Sequence, residues 1–331
     1  MSPGRAENII LANDPLKAPA GLENGVYAIG NFDGVHRGHA AVIGRARRLA
    51  DELGAPAAAL TFEPHPADFF AGRPVVFRLT PPPLKARALA ELGVDGVVTL
   101  TFNAALAGLT AEAFVSTILV GRLGIGAAVI GGDFHFGKNR GGSPEFLVEA
   151  GRRHGFRVDV IEKVADSGGE AAISSTAIRR ALEAGDVETA AGLLGRPYCV
   201  EGEVIAGRKL GRTLGLPTAN IALAPTNRLA HGVYAVRATA AGKRFDGVAS
   251  FGTRPTVEGA GAPLLEVFLF DFSGDLYGKT MDVAFEAYLR PELKFESLEA
   301  LKARMAEDVE RARIALRSAP DRIGPASAAR P

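Results

Sequence analysis

The first half of the chain alternates short apolar segments with stretches of helix length, and this alternation limits the folds open to it. Each apolar segment has the length and composition of a strand, and a helix-length segment separates it from the next. The segments are Val26–Gly30, Ala57–Phe62, Val94–Leu100, Ala127–Gly131 and Val158–Ile161. This rhythm predicts a doubly wound parallel sheet, in which ligands bind beyond the carboxyl ends of the strands.

The pattern changes near residue 183. After a short predicted helix at Val187–Leu194, β-type segments follow one another without helices between them, which predicts a small antiparallel barrel. These segments are Tyr198–Ile205, Val233–Ala238, Gly247–Phe251, Leu264–Phe272 and Met281–Tyr288. A last helix is predicted from about Ser297, with one apolar face formed by Leu298, Leu301, Met305 and Val309.

We therefore expect an α/β protein with a Rossmann-like domain at residues 1–184 and a barrel domain with a C-terminal helix at 185–317. Residues 318–331 are predicted to form a disordered tail. A chain of 331 residues is long enough for two such cores.

The overall charge argues against highly charged partners such as nucleic acid or an anionic membrane. Lysine and arginine number 38 against 37 acidic residues, a formal net charge of +1. We expect small-molecule partners rather than nucleic acid or a membrane surface. Residues 1–25 lack the apolar core of a signal peptide, no segment has the composition of a membrane span, and Cys199 is the only cysteine. These features favour the cytoplasm. Nothing in the sequence specifies an oligomeric state.

The loop after the first predicted strand carries the clearest chemical signal. It reads Gly30-Asn31-Phe32-Asp33-Gly34-Val35-His36-Arg37-Gly38-His39, and it opens a helix. Glycines there let the backbone approach a ligand, while the helix N-terminus attracts phosphate oxygens. His36 and His39 add imidazole donors, which can hydrogen-bond phosphate oxygens and stabilise the charge that builds up when a nucleotide phosphate is attacked. A plain helix start and a zinc site are the two alternatives for this loop.

The decapeptide resembles the His-x-Gly-His signature of the nucleotidyltransferase superfamily. In its fuller form it is similar to the bifunctional bacterial riboflavin kinase/FMN adenylyltransferase family, also called FAD synthetase. Taken alone it leaves pantetheine-phosphate and nicotinamide-mononucleotide adenylyltransferases open. The resemblance implies that His36 and His39 act on the triphosphate in the transition state, and that ATP also contacts Gly30, Phe32, Asp33 and Gly38.

A second motif lies about 140 residues further on. Ile173-Ser174-Ser175-Thr176-Ala177-Ile178-Arg179 places hydroxyls ahead of a helix and a guanidinium one turn later. The hydroxyls can cap the helix or bind phosphate. The segment resembles the Ile-Ser-Ser-Thr-x-Ile-Arg signature of the same superfamily, which implies β- and γ-phosphate binding by Ser174, Thr176 and Arg179.

Three segments between these motifs resemble the flavin-side segments of FAD synthetase. They are Thr61–Pro66, Arg78–Pro81 and Gly131–Arg140. From them we expect Phe62 and Pro64 to pack near an isoalloxazine ring, and Asp133 and Arg140 to orient polar groups of the flavin. A purely structural role is the alternative for each of these four residues.

The second half has a glycine-rich loop of its own. Gly207, Gly211 and Gly215 recur at four-residue spacing with basic residues such as Arg212 between them, followed by Pro217-Thr218-Ala219-Asn220. The glycine loop alone fits a β-hairpin as well as a phosphate loop. The whole stretch resembles the riboflavin kinase signature, which implies that Gly207, Gly211, Arg212 and Gly215 contact ATP. By the same resemblance, Thr218 and Asn220 hold Mg²⁺ and nucleotide phosphate.

Glu266 falls in an apolar predicted strand, on the face of Leu264, Phe268, Phe270 and Phe272. A carboxylate there needs a partner or a function, and a buried ion pair is the alternative to catalysis. The resemblance implies that Glu266 is the general base that takes the proton from the 5′-hydroxyl of riboflavin. Arg290 is either a flavin contact or part of a salt bridge between barrel and helix.

The resemblance spans residues 24 to 315. It implies that one domain forms FMN and ADP from riboflavin and ATP, and that the other forms FAD and pyrophosphate from FMN and ATP with Mg²⁺. Three positions depart from the family pattern. The family usually has Asn, Phe and Arg where this chain has Ser250, Leu216 and His135. Activity in only one half, and a flavin-binding protein without turnover, are the competing interpretations.

Overall fold

The computed structural model describes residues 9–164, 172–206, 218–253 and 263–319, which divide into two compact units. The first contains the described residues up to Ser174 except Phe77–Leu79, and the second contains Phe77–Leu79 and the described residues from Ser175 onward. No helix in these ranges combines the length and apolar composition needed to cross a membrane.

The first unit is built on a six-stranded parallel sheet in the order β1-β4-β3-β2-β5-β6. Its strands are β1 (Ile10–Asn13), β2 (Val26–Ile29), β3 (Ala57–Glu63), β4 (Gly96–Thr101), β5 (Ala127–Gly131) and β6 (Arg157–Ile161). The helices are α1 (Arg37–Leu53), α2 (Pro66–Ala71), α3 (Pro82–Glu91), α4 (Ala104–Gly108), α5 (Ala111–Ala113), a π-helix (Phe114–Arg122), a 3₁₀ turn (Lys138–Arg140) and α6 (Pro144–His154).

Both faces of the sheet are buried, because successive side chains of each strand enter different cores. Val26 and Ala28 of β2 pack with the apolar face of α1, whereas Tyr27 and Ile29 pack with the π-helix and α6. From β2 the chain moves outward to β3 and β4, and from β5 it moves the other way to β6. The order therefore reverses between β2 and β5, beside the loop that follows β2.

The second unit is a closed antiparallel barrel in the order β10-β11-β8-β7-β12-β9. Its strands are β7 (Tyr198–Ile205), β8 (Ala219–Ala222), β9 (Gly232–Ala240), β10 (Lys243–Thr253), β11 (Pro263–Leu269) and β12 (Thr280–Arg290). Helices α7 (Ser175–Glu183) and α8 (Val187–Leu194) precede the barrel, and α9 (Leu298–Ser318) follows it. Leu265, Val267 and Leu269 of β11 enter the main core, while Phe268 and Phe270 belong to a cluster with Ala312 and Leu316 of α9.

The predicted fold class is confirmed, with differences at particular elements. The edge strand β1 and the short strand β8 were not predicted from the sequence. The predicted strand Leu264–Phe272 is too long, because β11 ends at Leu269 and Asp271 adopts a left-handed backbone with φ 56°. The last helix begins at the expected place, with Ser297 as its N-cap, but Leu298 is half exposed rather than part of the packed face. The predicted tail lies outside the described residues from position 320 onward.

Candidate active sites

The histidine loop joins β2 to α1, beside the point where strand order reverses. His36 is the N-cap of α1, and its Nδ1 accepts a hydrogen bond from the His39 backbone N–H at 3.3 Å. The two imidazole rings stack with centroids 3.6 Å apart, and the Phe32 ring is perpendicular to the His39 ring with centroids 5.3 Å apart. Acceptance at Nδ1 places the proton of a neutral His36 ring on Nε2, where it can be donated to a phosphate oxygen.

The backbone of this loop is strained and firmly held. Phe32 and Val35 adopt positive φ values of 49° and 43°, which are unfavourable for side-chain-bearing residues and most of all for a β-branched one. The buried Asp33 carboxylate accepts from the Thr80 N–H at 3.0 Å, and the Gly34 N–H donates to the Thr80 hydroxyl at 2.8 Å. Asp33 thus fixes the loop conformation in this structure.

Two glycines of the loop are needed for close packing against aromatic rings. A Cβ on Gly38 would lie 3.1 Å from the His36 ring, and one on Gly30 would lie 3.0 Å from the Phe32 ring. Any larger residue would displace His36 or Phe32. The sequence indicated glycine for ligand approach, and the structure adds this packing reason.

The predicted flavin-side residues occupy different environments. Phe62 is only 8% exposed and packs with Phe102 and Phe114 in the core on the π-helix side of the sheet. Pro64 follows the end of β3. Asp133 and Arg140 are exposed, and the Asp133 carboxylate lies 3.4 Å from the Lys163 ammonium. Contact of these residues with flavin stays a prediction.

The Ser-Ser-Thr motif marks the start of a helix, as predicted. Ser174 directly precedes α7, Thr176 lies in its first turn, and Arg179 follows one turn later. Arg179 Nε donates to the Phe77 carbonyl at 2.7 Å. Phosphate binding by Ser174, Thr176 and Arg179 stays a prediction.

In the barrel, three residues of the kinase-like motifs meet across neighbouring strands. Glu266 of β11 pairs in register with Asn220 of β8 on one side and with Ser250 of β10 on the other. Directly opposed residues of antiparallel strands have Cβ atoms about 4.5–5.5 Å apart. Asn220 is buried, and its side-chain N–H₂ donates to the Thr218 carbonyl at 3.3 Å. Asn220 and Glu266 are therefore neighbours, and Thr218 lines the same cavity as Glu266, so these three oxygen-bearing residues form one cluster.

Glu266 also lines a cavity of about 240 Å³ between the outer wall of the barrel and α9. Polar groups stand along one part of the wall, among them Thr218, Ser250 and Glu266. Apolar side chains form much of the rest, including Phe268, Phe295, Leu301, Met305 and Val309. This volume lies slightly below the range of about 300–1,000 Å³ usual for ligand clefts. Gly207, Gly211, Arg212 and Gly215 lie outside the described residues.

Arg290 forms the barrel-to-helix salt bridge that sequence analysis offered as one of its two interpretations. Its Nε donates to Asp308 Oδ1 at 2.9 Å, and its second terminal nitrogen donates to Oδ2 at 2.6 Å. Both side chains are buried, and both line the cavity. The ion pair fastens α9 over the cavity, and Arg290 also faces its interior. Flavin contact by Arg290 stays a prediction.

Three residues at these sites escaped sequence analysis. Asp308 had a signal, since it interrupts the apolar stripe of α9 between Met305 and Ala312. Glu292 carried no such signal in the sequence. Its carboxylate packs against Gly252, where a side chain would collide with it, and lies 3.9 Å from His231 Nδ1. Lys85 also had none, because its burial results from tertiary packing of α3.

Two family models match the chain. The model for FAD synthetase matches residues 18–177, and the model for riboflavin kinase matches residues 194–316. The first match falls almost wholly within the first unit and the second within the second unit.

Known proteins resemble the chain over most of its length. The bifunctional riboflavin kinase/FMN adenylyltransferase of Pseudomonas fluorescens is 46% identical, covering 87% of this chain and 92% of the relative. Its counterpart in Escherichia coli K12 is 41% identical over 86% of this chain and 91% of the relative.

A crystal structure described as a macrolide-efflux protein from Streptococcus pneumoniae has a TM-score of 0.81 and 32% identity. The match covers 92% of this chain and 99% of the other. That likeness extends over both units of the fold. On the family models and the relatives, the chain belongs to the bifunctional riboflavin kinase/FMN adenylyltransferase family.

Proposed function

We infer that the chain is an ATP-dependent enzyme with two activities. It phosphorylates riboflavin to FMN, and it transfers AMP from a second ATP to FMN to give FAD and pyrophosphate. The observation that carries this conclusion is that each half presents its own chemically suitable site. One is a histidine loop at a helix N-terminus, and the other is a carboxylate at the polar wall of an apolar cavity.

The cavity of the second unit matches the amphipathic character of riboflavin. Its apolar wall suits the tricyclic ring, whereas Thr218, Ser250 and Glu266 suit the hydroxylated ribityl chain. We assign Glu266 as the general base that accepts the proton of the terminal hydroxyl as its oxygen attacks the γ-phosphorus of ATP. FMN and ADP are the products. The proposal is supported by the register that puts Glu266 opposite Asn220.

The same cluster fits a magnesium ion. Thr218 offers a hydroxyl and Asn220 an amide oxygen, and Mg²⁺ prefers such hard oxygen ligands. The bond from Asn220 Nδ2 to the Thr218 carbonyl turns the amide oxygen away from that carbonyl. We propose that Thr218 and Asn220 hold Mg²⁺, which would neutralise charge on the transferred phosphate.

The adenylyl transfer is assigned to the histidine loop. The free N–H groups and dipole at the start of α1 attract phosphate oxygens, and Nε2 of His36 donates from the same end. We propose that His36 and His39 stabilise the charge that grows on the α-phosphate as an FMN phosphate oxygen attacks it and pyrophosphate leaves. The strained, anchored backbone supports this role, since it keeps the donors in place before ATP binds.

We propose that the protein works in the cytoplasm on small molecules alone. The near balance of 38 basic and 37 acidic residues supports partners other than nucleic acid. Cys199 is buried and is the single cysteine of the chain, so no internal disulfide can form, which is consistent with a reducing compartment.

Separation of flavins after incubation with riboflavin, ATP and Mg²⁺ tests the function. We expect FMN to appear first and FAD to follow. A second incubation supplies FMN directly. Formation of FMN in the first incubation, with no FAD in either, would limit activity to the barrel. No conversion in either would contradict the proposal and favour a flavin-binding protein.

A further inference from the structure

Lys85 of α3 is a buried cation that the two activities leave unexplained. Its side chain is 3% exposed, which is rare for lysine. The ammonium donates to the Asn31 carbonyl and to the Thr61 hydroxyl, each at 3.2 Å, and it forms an ion pair with Glu63.

These partners belong to the two segments that adenylyl transfer must bring together. Asn31 lies in the histidine loop, one residue before Phe32. Thr61 and Glu63 lie at the end of β3, in the segment expected on the flavin side. The Thr61 hydroxyl itself donates to the Asn31 carbonyl at 3.1 Å. One ammonium therefore ties the nucleotide-side loop to the flavin-side strand end.

The segment that carries Lys85 also holds the loop at a second point. Thr80, five residues earlier, binds the Asp33 carboxylate and the Gly34 N–H. The loop is thus fixed to the same segment before and after Phe32, whose backbone φ is positive. Movement of α3 relative to β3 would shift both the loop and the strand end.

Stability alone is a weak reason for this arrangement. Removing an ammonium from water costs several kcal/mol, and well-packed apolar residues often replace a buried ion pair without loss of stability. A misplacement of about 1 Å between reacting groups, by contrast, can cost on the order of 100-fold in rate.

We propose that Lys85 is a positioning residue for adenylyl transfer, which sets the distance between the histidine loop and the flavin-side end of β3. The proposal rests on the proposed function of the first unit. Lys85 acts through Asn31, Thr61 and Glu63, so its loss lowers kcat for FAD formation more than it raises KM.

The test compares Glu63→Gln with the double variant Lys85→Met/Glu63→Gln. Both lack the Glu63 charge, so the double variant leaves no half-buried carboxylate without its cation. We expect kcat for FAD formation from FMN and ATP to fall about 10- to 100-fold from the single to the double variant. We also expect the double variant to unfold at no lower a temperature than Glu63→Gln, which leaves the Lys85 ammonium buried without its counter-charge. Riboflavin kinase activity of the same chains serves as an internal control and should stay unchanged.

Arg47→Met is the matched control within the same unit. Arg47 pairs with Asp95, which directly precedes β4. This pair therefore lies at the amino ends of the strands, whereas the histidine loop lies at their carboxyl ends. We expect it to lower stability with little change in kcat.

Three results would overturn the proposal. One is a double variant with kcat within twofold of Glu63→Gln. Another is an equal loss of kcat in Arg47→Met at equal stability. The third is a double variant whose first unit fails to unfold cooperatively, since Lys85 would then serve folding. A parent protein that makes no FAD in this assay would instead refute the proposed function.

Discussion

The two halves of the molecule position their candidate catalytic groups in different ways. His36 and His39 stand where a parallel strand gives way to a helix, at an edge to which the topology brings several loops. Glu266 stands within a barrel strand and faces outward, and α9 turns that outer wall into a cavity. The first site depends on the local backbone geometry of its loop, whereas the second depends on the packing of α9 over the barrel wall. Substitutions should therefore affect the two activities through different parts of the structure.

The largest effect is expected from Glu266→Gln. The amide keeps the shape of the side chain but cannot accept the proton, so FMN formation should fall about 10²- to 10⁴-fold. FAD formation from supplied FMN should be unchanged. Both rates are measured by flavin separation, with Glu203→Gln, an exposed carboxylate on β7, as control. Unchanged FMN formation would refute the general-base assignment.

His36→Asn should have the next largest effect, and on the other activity. Asparagine is a good N-cap, so α1 should still begin at the same residue, but the imidazole donor is lost. FAD formation from FMN should fall by about 10²- to 10³-fold, as for loss of one transition-state donor. The kinase rate should be unaffected. A fall of less than about threefold would mean that the histidine serves only as a cap.

The sequence predicted the parallel sheet more fully than it predicted the barrel site. Strand ends of a parallel sheet converge whatever the side chains, so the loop from Gly30 to His39 could be located from the order of elements alone. The alternation around Glu266 correctly grouped Phe268 with Phe270, but Phe272 lies beyond the end of β11 and packs on the main core. It also did not predict that α9 would cover Glu266. Asp308 could have been paired with a cation, since it interrupts an apolar stripe. Lys85 could not have been found, because its burial depends on how α3 packs on β3.

Asp308→Ala tests whether the barrel site depends on the helix that covers it. The substitution weakens the attachment of α9 over the cavity and leaves Glu266 unchanged. Removing one partner of a buried ion pair costs about 3–5 kcal/mol, because the Arg290 guanidinium stays buried without it. The unfolding free energy of the barrel unit should fall accordingly. We expect the riboflavin KM to rise about tenfold, or about 1.4 kcal/mol of binding. Glu310→Gln, an exposed carboxylate on the same helix, is the control. An unchanged KM would show that α9 does not shape the site.

The smallest effect concerns acid stability of the first unit. Burial by itself raises the pKa of Asp159, but hydrogen bonds from Arg157 and Arg45 outweigh it and hold the pKa below its ordinary value. This stabilisation is present above the pKa of the unfolded chain, about 3.9, and is lost as pH falls through the lower folded value. Urea unfolding of Asp159→Asn at pH 6 and below pH 4 should show a weaker pH dependence than the parent. Identical pH dependence would contradict this prediction.

Mixing the two single variants tests most directly the claim that each half carries one complete activity. Glu266→Gln alone and His36→Asn alone, given riboflavin, ATP and Mg²⁺, should make almost no FAD within the time the parent needs. The mixture should form FAD, because His36→Asn supplies FMN and Glu266→Gln adenylylates it. A folded mixture that forms no FAD, or either variant forming FAD alone at the parent rate, would contradict the division of activities between the two units.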